Sequence, residues 1–197
     1  MDKLIQYYDV LIKENNDPVY DTEQLREYMD KWDGQDFISR MELDKTKSVL
    51  EIGVGTGRLA VRTAPLCRTF VGIDISPETV KRAEKNLSVR DNVTLVCGDF
   101  LTYEFFRRFD IIYSSLTFMH IKQKSEAILK SANLLNSGGK FVLSTDKTSG
   151  EFIDAGFGRI GVFRDDPAKT ESYIAASGMI LTEHYETEFA DIFVAQK

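Results

Sequence analysis

Residues 49–60 carry the clearest chemical pattern of the chain, an apolar run that ends in a glycine-rich turn. Gly53, Gly55 and Gly57 stand at alternate positions, so a ligand can approach the backbone of this turn without meeting side chains. Two common nucleotide loops do not fit the spacing. A phosphate loop requires a Gly-Lys-Ser/Thr ending, which is absent, and a dinucleotide fingerprint requires glycine at the position of Arg58.

Glu51 stands two residues before the first of these glycines. A carboxylate at this place would repel a pyrophosphate and attract a ligand that carries a cationic amine or sulfonium. The acid therefore changes the class of ligand that the turn is expected to bind.

Together these residues resemble the Glu/Asp-x-Gly-x-Gly-x-Gly motif of the class I S-adenosylmethionine-dependent methyltransferases. The resemblance covers about residues 48–197 and is most specific across 49–120. It implies an α/β fold, a three-layer αβα sandwich with a seven-stranded, mostly parallel sheet of order 3-2-1-4-5-7-6 and an antiparallel strand 7. It also implies that Glu51, Gly53, Gly55 and Gly57 cradle the methionine and ribose portions of S-adenosylmethionine, whose product is S-adenosylhomocysteine.

The next two predicted strands end in acidic residues. Asp74 follows the glycine turn by about 20 residues, the spacing at which an acid receives ribose hydroxyls in nucleotide-binding βαβ units. The resemblance gives Asp74 that role and places Ile75 against the adenine. After the third predicted strand, the resemblance assigns Asp99 to the adenine amino group and Phe100 to the face of the ring.

The fourth predicted strand ends at Ser114, on the edge where ligands bind in open α/β sheets, so Ser114 is predicted to contact the cofactor. His120 follows and is the candidate general base, because imidazole titrates near neutrality. The alternative is that His120 packs among its apolar neighbours. His184, on a predicted hairpin strand, is a second and weaker candidate. Ser-Ser-Leu-Thr replaces the Asn/Asp-Pro-Pro-aromatic motif of amino-group methyltransferases, which argues against DNA bases as acceptors.

Residues 1–47 have helical periodicity and are expected to form an arm or lid that belongs to the same domain as the methyltransferase domain, residues 48–197. In the resembling family such helices close over the cofactor and shape the acceptor pocket. The aromatic residues of the arm either line that pocket or pack the arm onto the sheet. The glycines of residues 145–166 suggest a loop over the acceptor site.

The composition excludes several classes of protein. The net charge of −6 over 197 residues indicates no general affinity for DNA, RNA or anionic membranes. The first ten residues lack the apolar core of a signal peptide, and no apolar run is long enough to span a bilayer, so a cytoplasmic protein is expected. The two cysteines and two histidines are widely spaced, so no metal site is predicted. Cys67 and Cys97 are expected to be buried free thiols.

Three functional hypotheses follow. The first is a methyltransferase that acts by direct displacement on a small-molecule acceptor. The second is a methyltransferase for a protein or an RNA, although RNA would require a basic patch that the sequence lacks. The third is a non-catalytic relative that binds the cofactor, or nothing, and acts as a scaffold. The acceptor atom and the oligomeric state stay open at this point.

Overall fold

A computed structural model describes residues 2–147, 150–156 and 158–197. Its strands, in chain order, are β1 (Ser48–Ile52), β2 (Thr69–Asp74), β3 (Val93–Cys97), β4 (Phe109–Ser114), β5 (Leu135–Asp146), β6 (Phe152–Asp154), β7 (Arg159–Gly161), β8 (Ile180–Glu186) and β9 (Ala190–Gln196). Seven of them form one sheet of order β3-β2-β1-β4-β5-β9-β8, and β6 pairs with β7 in a separate hairpin.

The first five strands of the large sheet run parallel, and β9 is antiparallel to both β5 and β8. With β9 counted as the seventh strand of this sheet, the order and the antiparallel final pair are those predicted. All five residues of β1 are buried, which explains why its sequence is an almost continuous aliphatic run.

The helices are α1 (Asp2–Lys13), α2 (Glu23–Met29), α3 (Gly34–Arg40), α4 (Ala60–Thr63), α5 (Pro77–Asn86), α6 (Lys124–Leu134) and α7 (Pro167–Ala176). They cover both faces of the sheet. Alternate residues of β1 enter two separate apolar cores: Leu50 packs with residues of α6 and α7, and Val49 packs with residues of α3 and α4. This arrangement is the predicted three-layer αβα sandwich.

The N-terminal helices are attached to the sheet by buried contacts. Phe37 and Met41 belong to the core that contains Val49, and both are fully buried. At the other side, Ser76 donates a hydrogen bond to Asp9 of α1 at 2.7 Å, which joins α1 to the start of α5. Burial of the α3 side chains makes the arm a structural part of the sandwich.

Local details of three elements complete the description. The helix after the glycine turn is short, since α4 is followed by a 3-10 turn at Ala64–Leu66. The fifth strand begins directly after α6 at Leu135, which pairs with Phe109 before a bulge in the register. Cys67 is buried as predicted, but Cys97 is exposed, because it ends β3, which lies at the edge of the sheet and lacks a neighbour on one side.

The glycine-rich region over 145–166 contains the β6–β7 hairpin; residues 148, 149 and 157 of that region lie outside the described residues. Across the described chain, no helix combines the length and apolar character required to cross a bilayer. The same residues contain no cluster of three or more side chains suited to hold a metal ion.

Candidate active site

The glycine turn that follows β1 is fixed by its backbone. The amides of Gly53 and Val54 both donate to the carbonyl of Ile73 in β2, at 2.8 and 3.0 Å. Gly53 has φ +76°, and a Cβ added there would lie 1.9 Å from Oγ1 of Thr117. The turn therefore depends on glycine at this position for both its conformation and its close approach to the loop after β4.

Gly55 lies in the same turn in a different environment. It has φ +57°, and a Cβ added there would meet no atom within 4 Å. Gly57 also has a positive φ, but its added Cβ would lie 3.2 Å from Leu87. Open space at Gly55 therefore leaves the backbone accessible to a ligand.

A cavity of about 890 Å³ opens beside this turn. Its wall includes the residues after β1, β2, β3 and β4, so it lies at the carboxyl edge of the parallel strands, where open α/β sheets bind ligands. Residues of α1 and of the β6–β7 hairpin also line it. All the predicted site residues except Gly57 and Ser114 are among its lining residues: Glu51, Gly53, Gly55, Asp74, Ile75, Asp99, Phe100 and His120.

Asp74 is held by the backbone around it. Its Oδ2 accepts from the amide of Gly55 at 2.9 Å, and its Oδ1 accepts from the amide of Ser76 at 3.0 Å. Burial raises the pKa of Asp74, and these backbone hydrogen bonds oppose the rise. The N-cap of α5 is Ser76, so Asp74 is available to a ligand. Each carboxylate oxygen keeps a second lone pair, which suits a ligand with two hydroxyl groups.

Asp99 and Phe100 lie in the cavity wall directly after β3. The Oδ1 of Asp99 accepts from the amide of Leu101 at 2.8 Å, which orients the carboxylate. Phe100 is 5% exposed and belongs to the apolar core that contains Leu50, so its ring is fixed by packing. Together they provide an acceptor and a rigid apolar surface.

Glu51 is 3% exposed and hydrogen-bonded to Tyr113, whose hydroxyl donates to its Oε2 at 2.8 Å. Burial raises the pKa of the Glu51 carboxyl to about 8, against the lowering effects of Tyr113 and of the nearby Arg58. A cationic ligand beside this carboxyl would favour its ionised form, because opposite charges in a poorly solvated site attract strongly.

An ion pair that the sequence did not reveal lies next to Glu51. Arg58 binds the Asp33 carboxylate through two nitrogens, with Nη1 3.1 Å from Oδ1, and the Asp33 side chain is fully buried. The hydroxyl of Ser115 donates to the same carboxylate at 2.6 Å. In the sequence, Arg58 stands out only because a dinucleotide fingerprint requires glycine at its position. No local pattern indicates that it pairs with Asp33 in the N-terminal arm.

His120 lies in a 3-10 turn after β4, and its Nε2 forms a 2.8 Å hydrogen bond with the hydroxyl of Tyr8 from α1. Its Nδ1 is buried and has no partner among the described residues. Burial lowers the pKa of His120 to about 4, so the ring is neutral at physiological pH. The arm therefore contributes a polar group to the cavity, and Tyr8 is the partner that sequence patterns did not identify.

Two other predicted residues lie elsewhere. Ser114 is fully buried, and its hydroxyl donates to the carbonyl of Ile52 at 2.9 Å, so it joins β4 to β1 and is absent from the cavity wall. His184 contacts Glu171 and Asp191 at 2.8 and 3.2 Å and connects α7 to the final hairpin. Neither side chain is placed to touch a ligand in the cavity.

Comparisons with known proteins agree with this geometry. Residues 50–143 match the model of a family described as a methyltransferase domain. An uncharacterized methyltransferase of Anoxybacillus flavithermus is 36% identical over 122 residues, which are 60% of this chain and 56% of that relative. The chain thus spans about half the length of the curated relatives it matches.

Two solved structures share the fold. The N-methyltransferase NodS from Bradyrhizobium japonicum, in complex with S-adenosyl-L-homocysteine, superposes with a TM-score of 0.68 at 17% identity, over 97% of this chain and 98% of that one. An S-adenosylmethionine-dependent methyltransferase from Mesorhizobium loti gives a TM-score of 0.71 at 14% identity, over 83% and 97% of the two chains. Residues 50–143 therefore match a methyltransferase domain, and the strand order and these two structures show that the chain has the fold of the class I S-adenosylmethionine-dependent methyltransferases.

Proposed function

We propose that this protein binds S-adenosylmethionine in the 890 Å³ cavity and transfers its methyl group to a small-molecule acceptor. The observation that carries the proposal is the meeting of three strand-end carboxylates, Glu51, Asp74 and Asp99, with an accessible glycine turn in one cavity wall. A sulfonium nucleoside has a cationic end, two ribose hydroxyls and an amino group, and each has an acidic partner available here.

The residues of the cavity wall that follow β1, β2 and β3 fit the cofactor. Open space at Gly55 leaves the turn free for the ribose and methionine portions, which would lie beside Glu51. Asp74 would accept from the ribose hydroxyls, and Asp99 from the adenine amino group. Ile75 and Phe100 would contact the faces of the ring. When bound, the cofactor supplies a methyl group on a positively charged sulfur.

The contribution of this chain to the reaction is mainly positional. Direct displacement requires the acceptor, the methyl carbon and the sulfur in line, and such alignment supplies much of the rate enhancement. His120 is the candidate base in the wall. Because its pKa is about 4, it would serve to orient the acceptor or to accept a proton that methylation has already made strongly acidic.

The shape of the cavity favours a small acceptor over a protein or an RNA. Its volume lies in the upper part of the range of about 300–1,000 Å³ for small-molecule sites, which leaves room for an acceptor beside the cofactor. Residues of α1 and of the β6–β7 hairpin contribute to its wall beside those of the glycine turn. A macromolecular acceptor would require an open groove instead.

Calorimetric titration tests the proposal. S-adenosylmethionine and S-adenosylhomocysteine are titrated into the wild-type protein, Asp74→Ala and the exposed control Asp91→Ala. Loss of the charged acceptor at residue 74 should weaken both ligands by about ten- to a hundredfold, and the control should bind like the wild type. A labelled methyl donor then detects acceptors in a screen. Absence of binding to a well-folded wild type would contradict the proposal and support a non-catalytic scaffold.

A further inference from the structure

The charged residues of the cavity wall come from different elements according to their sign, with the exception of Arg58. The acidic residues Glu51, Asp74 and Asp99 lie at the ends of β1, β2 and β3. Lys3, Lys122 and Arg159 come from α1, from the segment after β4 and from the hairpin. We call the first group of elements the acidic end of the cavity and the second its basic end, in a chain whose net charge is −6.

These three basic residues lie in the same part of the molecule. The Nζ of Lys3 is 3.9 Å from the place that a Cβ would take at Gly158, the neighbour of Arg159. The amide of Phe163, just beyond β7, donates to the carbonyl of Met119 at 2.8 Å, which brings the hairpin to the turn that precedes Lys122. The contact between Tyr8 and His120 holds α1 to that turn. Three separate elements therefore bring cationic side chains to one end of the cavity.

None of the three has an ion-pair partner among the side chains that the structure describes. The guanidinium of Arg159 lies 4.0 Å from the centre of the Phe152 ring. The fourth basic residue of the wall, Arg58, is different, because it is bound to the buried Asp33. Among the described wall residues, the cations without an ion-pair partner are therefore Lys3, Lys122 and Arg159.

Apolar side chains of the same elements also line the cavity, among them Leu4, Ile160 and Phe163. His120 adds a neutral ring whose buried Nδ1 has no partner among the described residues. A buried polar atom without a partner costs stability, and it becomes satisfied when a ligand or water reaches it. This end of the site therefore suits a molecule with an apolar body, one hydrogen-bonding group and a negative charge.

We infer that the acceptor is a small, mainly apolar molecule that carries a carboxylate or phosphate group, bound by Lys3, Lys122 and Arg159. The inference rests on the proposed function, because that function assigns the residues after β1, β2 and β3 to the cofactor. A concentration of positive charge also speeds the association of an anionic ligand, and added salt weakens this effect.

A pair of fluorescent probes tests the inference without knowledge of the acceptor. 8-Anilinonaphthalene-1-sulfonate has an apolar body and a negative charge, and N-phenyl-1-naphthylamine has the same body without the charge. Both are titrated into the full chain saturated with S-adenosylhomocysteine, for the wild type and for the triple variant Lys3→Gln, Lys122→Gln and Arg159→Gln. The triple variant should bind the sulfonate about tenfold more weakly at low salt and bind the neutral probe unchanged.

A matched control separates a local effect from a change of net charge. The variant Lys81→Gln, Lys85→Gln and Arg90→Gln removes the same charge from exposed positions outside the cavity wall. It should bind both probes like the wild type. Equal loss of sulfonate binding in the two triple variants would overturn the inference, and so would unchanged sulfonate binding in the cavity variant.

Two further measurements identify the anion and separate this inference from the proposed function. Displacement of the sulfonate probe by octanoate and by octyl phosphate, with octan-1-ol as the uncharged control, shows which anion is preferred. Affinity for S-adenosylhomocysteine should be unchanged in the cavity variant; a parallel fall would assign the cations to the cofactor and overturn the inference. Failure of the wild type to bind S-adenosylhomocysteine would contradict the proposed function alone, since the probe titrations repeated without it still test the anion site.

Discussion

The two ends of the cavity are built in different ways. At the acidic end, backbone groups set the geometry: Gly53 and Val54 donate to Ile73, and Gly55 donates to Asp74. At the basic end, side chains from α1, the turn after β4 and the hairpin meet through a few contacts such as the one between Tyr8 and His120. The first end is therefore part of the sheet, and the second is assembled on it.

This difference predicts how the two ends respond to substitution. Changes at the glycine turn disturb sheet hydrogen bonds and buried charge, so they should lower the free energy of unfolding. Changes at the basic end remove exposed charges or single hydrogen bonds, so they should alter binding with little effect on stability.

The largest effect is expected at Gly53. Gly53→Ala adds a Cβ 1.9 Å from Thr117 at a φ of +76°, so strain and overpacking should together reduce the free energy of unfolding by about 4 kcal/mol. Gly138→Ala is the control, because Gly138 has φ +75° and an added Cβ there meets nothing within 4 Å. That variant should lose only about 1 kcal/mol in urea unfolding. Equal losses would show that the close approach to Thr117 is unimportant.

A smaller effect is expected from the charge of Glu51. Its folded pKa of about 8 lies above the ordinary value of 4.5, so the folded state holds its proton more tightly and stability falls as the pH rises through 8. Between about pH 6 and about pH 9 the loss should be on the order of 3 kcal/mol, measured by urea unfolding. Glu51→Gln should remove this pH dependence, whereas Glu104→Gln, at an exposed position, should retain it. A wild-type profile as flat as that of Glu51→Gln would refute the buried-acid account.

The smallest effect is expected at the basic end. Tyr8→Phe removes the 2.8 Å hydrogen bond to Nε2 and leaves His120 without a partner, which should cost about 1.5 kcal/mol of unfolding free energy. Affinity for S-adenosylhomocysteine should stay unchanged, because the Tyr8 hydroxyl is bonded to His120, whereas backbone amides of Gly55 and Ser76 hold Asp74. Tyr7→Phe is the neighbouring control and should match the wild type. A tenfold loss of cofactor affinity in Tyr8→Phe would show that the two ends are not independent.

Much of the fold and of the acidic end could be predicted from local pattern. The aliphatic run of β1, its glycines and the acid at the end of β2 indicated a parallel sheet with a ligand turn, and the strand order agreed with the family resemblance. The cavity wall brings Glu51, Asp74 and Asp99 together as the spacing suggested. Their roles toward a cofactor remain predictions. These features could be predicted because each depends on residues that are close in sequence to the end of a strand.

Other features depended on contacts between distant segments. Ser114 stands at the predicted strand end, yet the pleat of β4 directs its hydroxyl to Ile52 rather than into the cavity. The pairing of Arg58 with Asp33 joins the arm to the glycine turn, and no periodicity in either segment indicates it. Cys97 has apolar neighbours in the sequence and was expected to be buried. It is exposed because β3 is an edge strand.

The sequence by itself determined the order of strands and helices, the glycine turn and the acidic residues that follow the strands, because hydrophobic period and backbone freedom are local properties. Only the tertiary structure decided that α1 and the β6–β7 hairpin line the same cavity as those acids, and that its wall includes three cations without an ion-pair partner among the described side chains. The physical reason is that packing of the arm and hairpin on the sheet brings together residues more than a hundred positions apart, as it does for Tyr8 and His120.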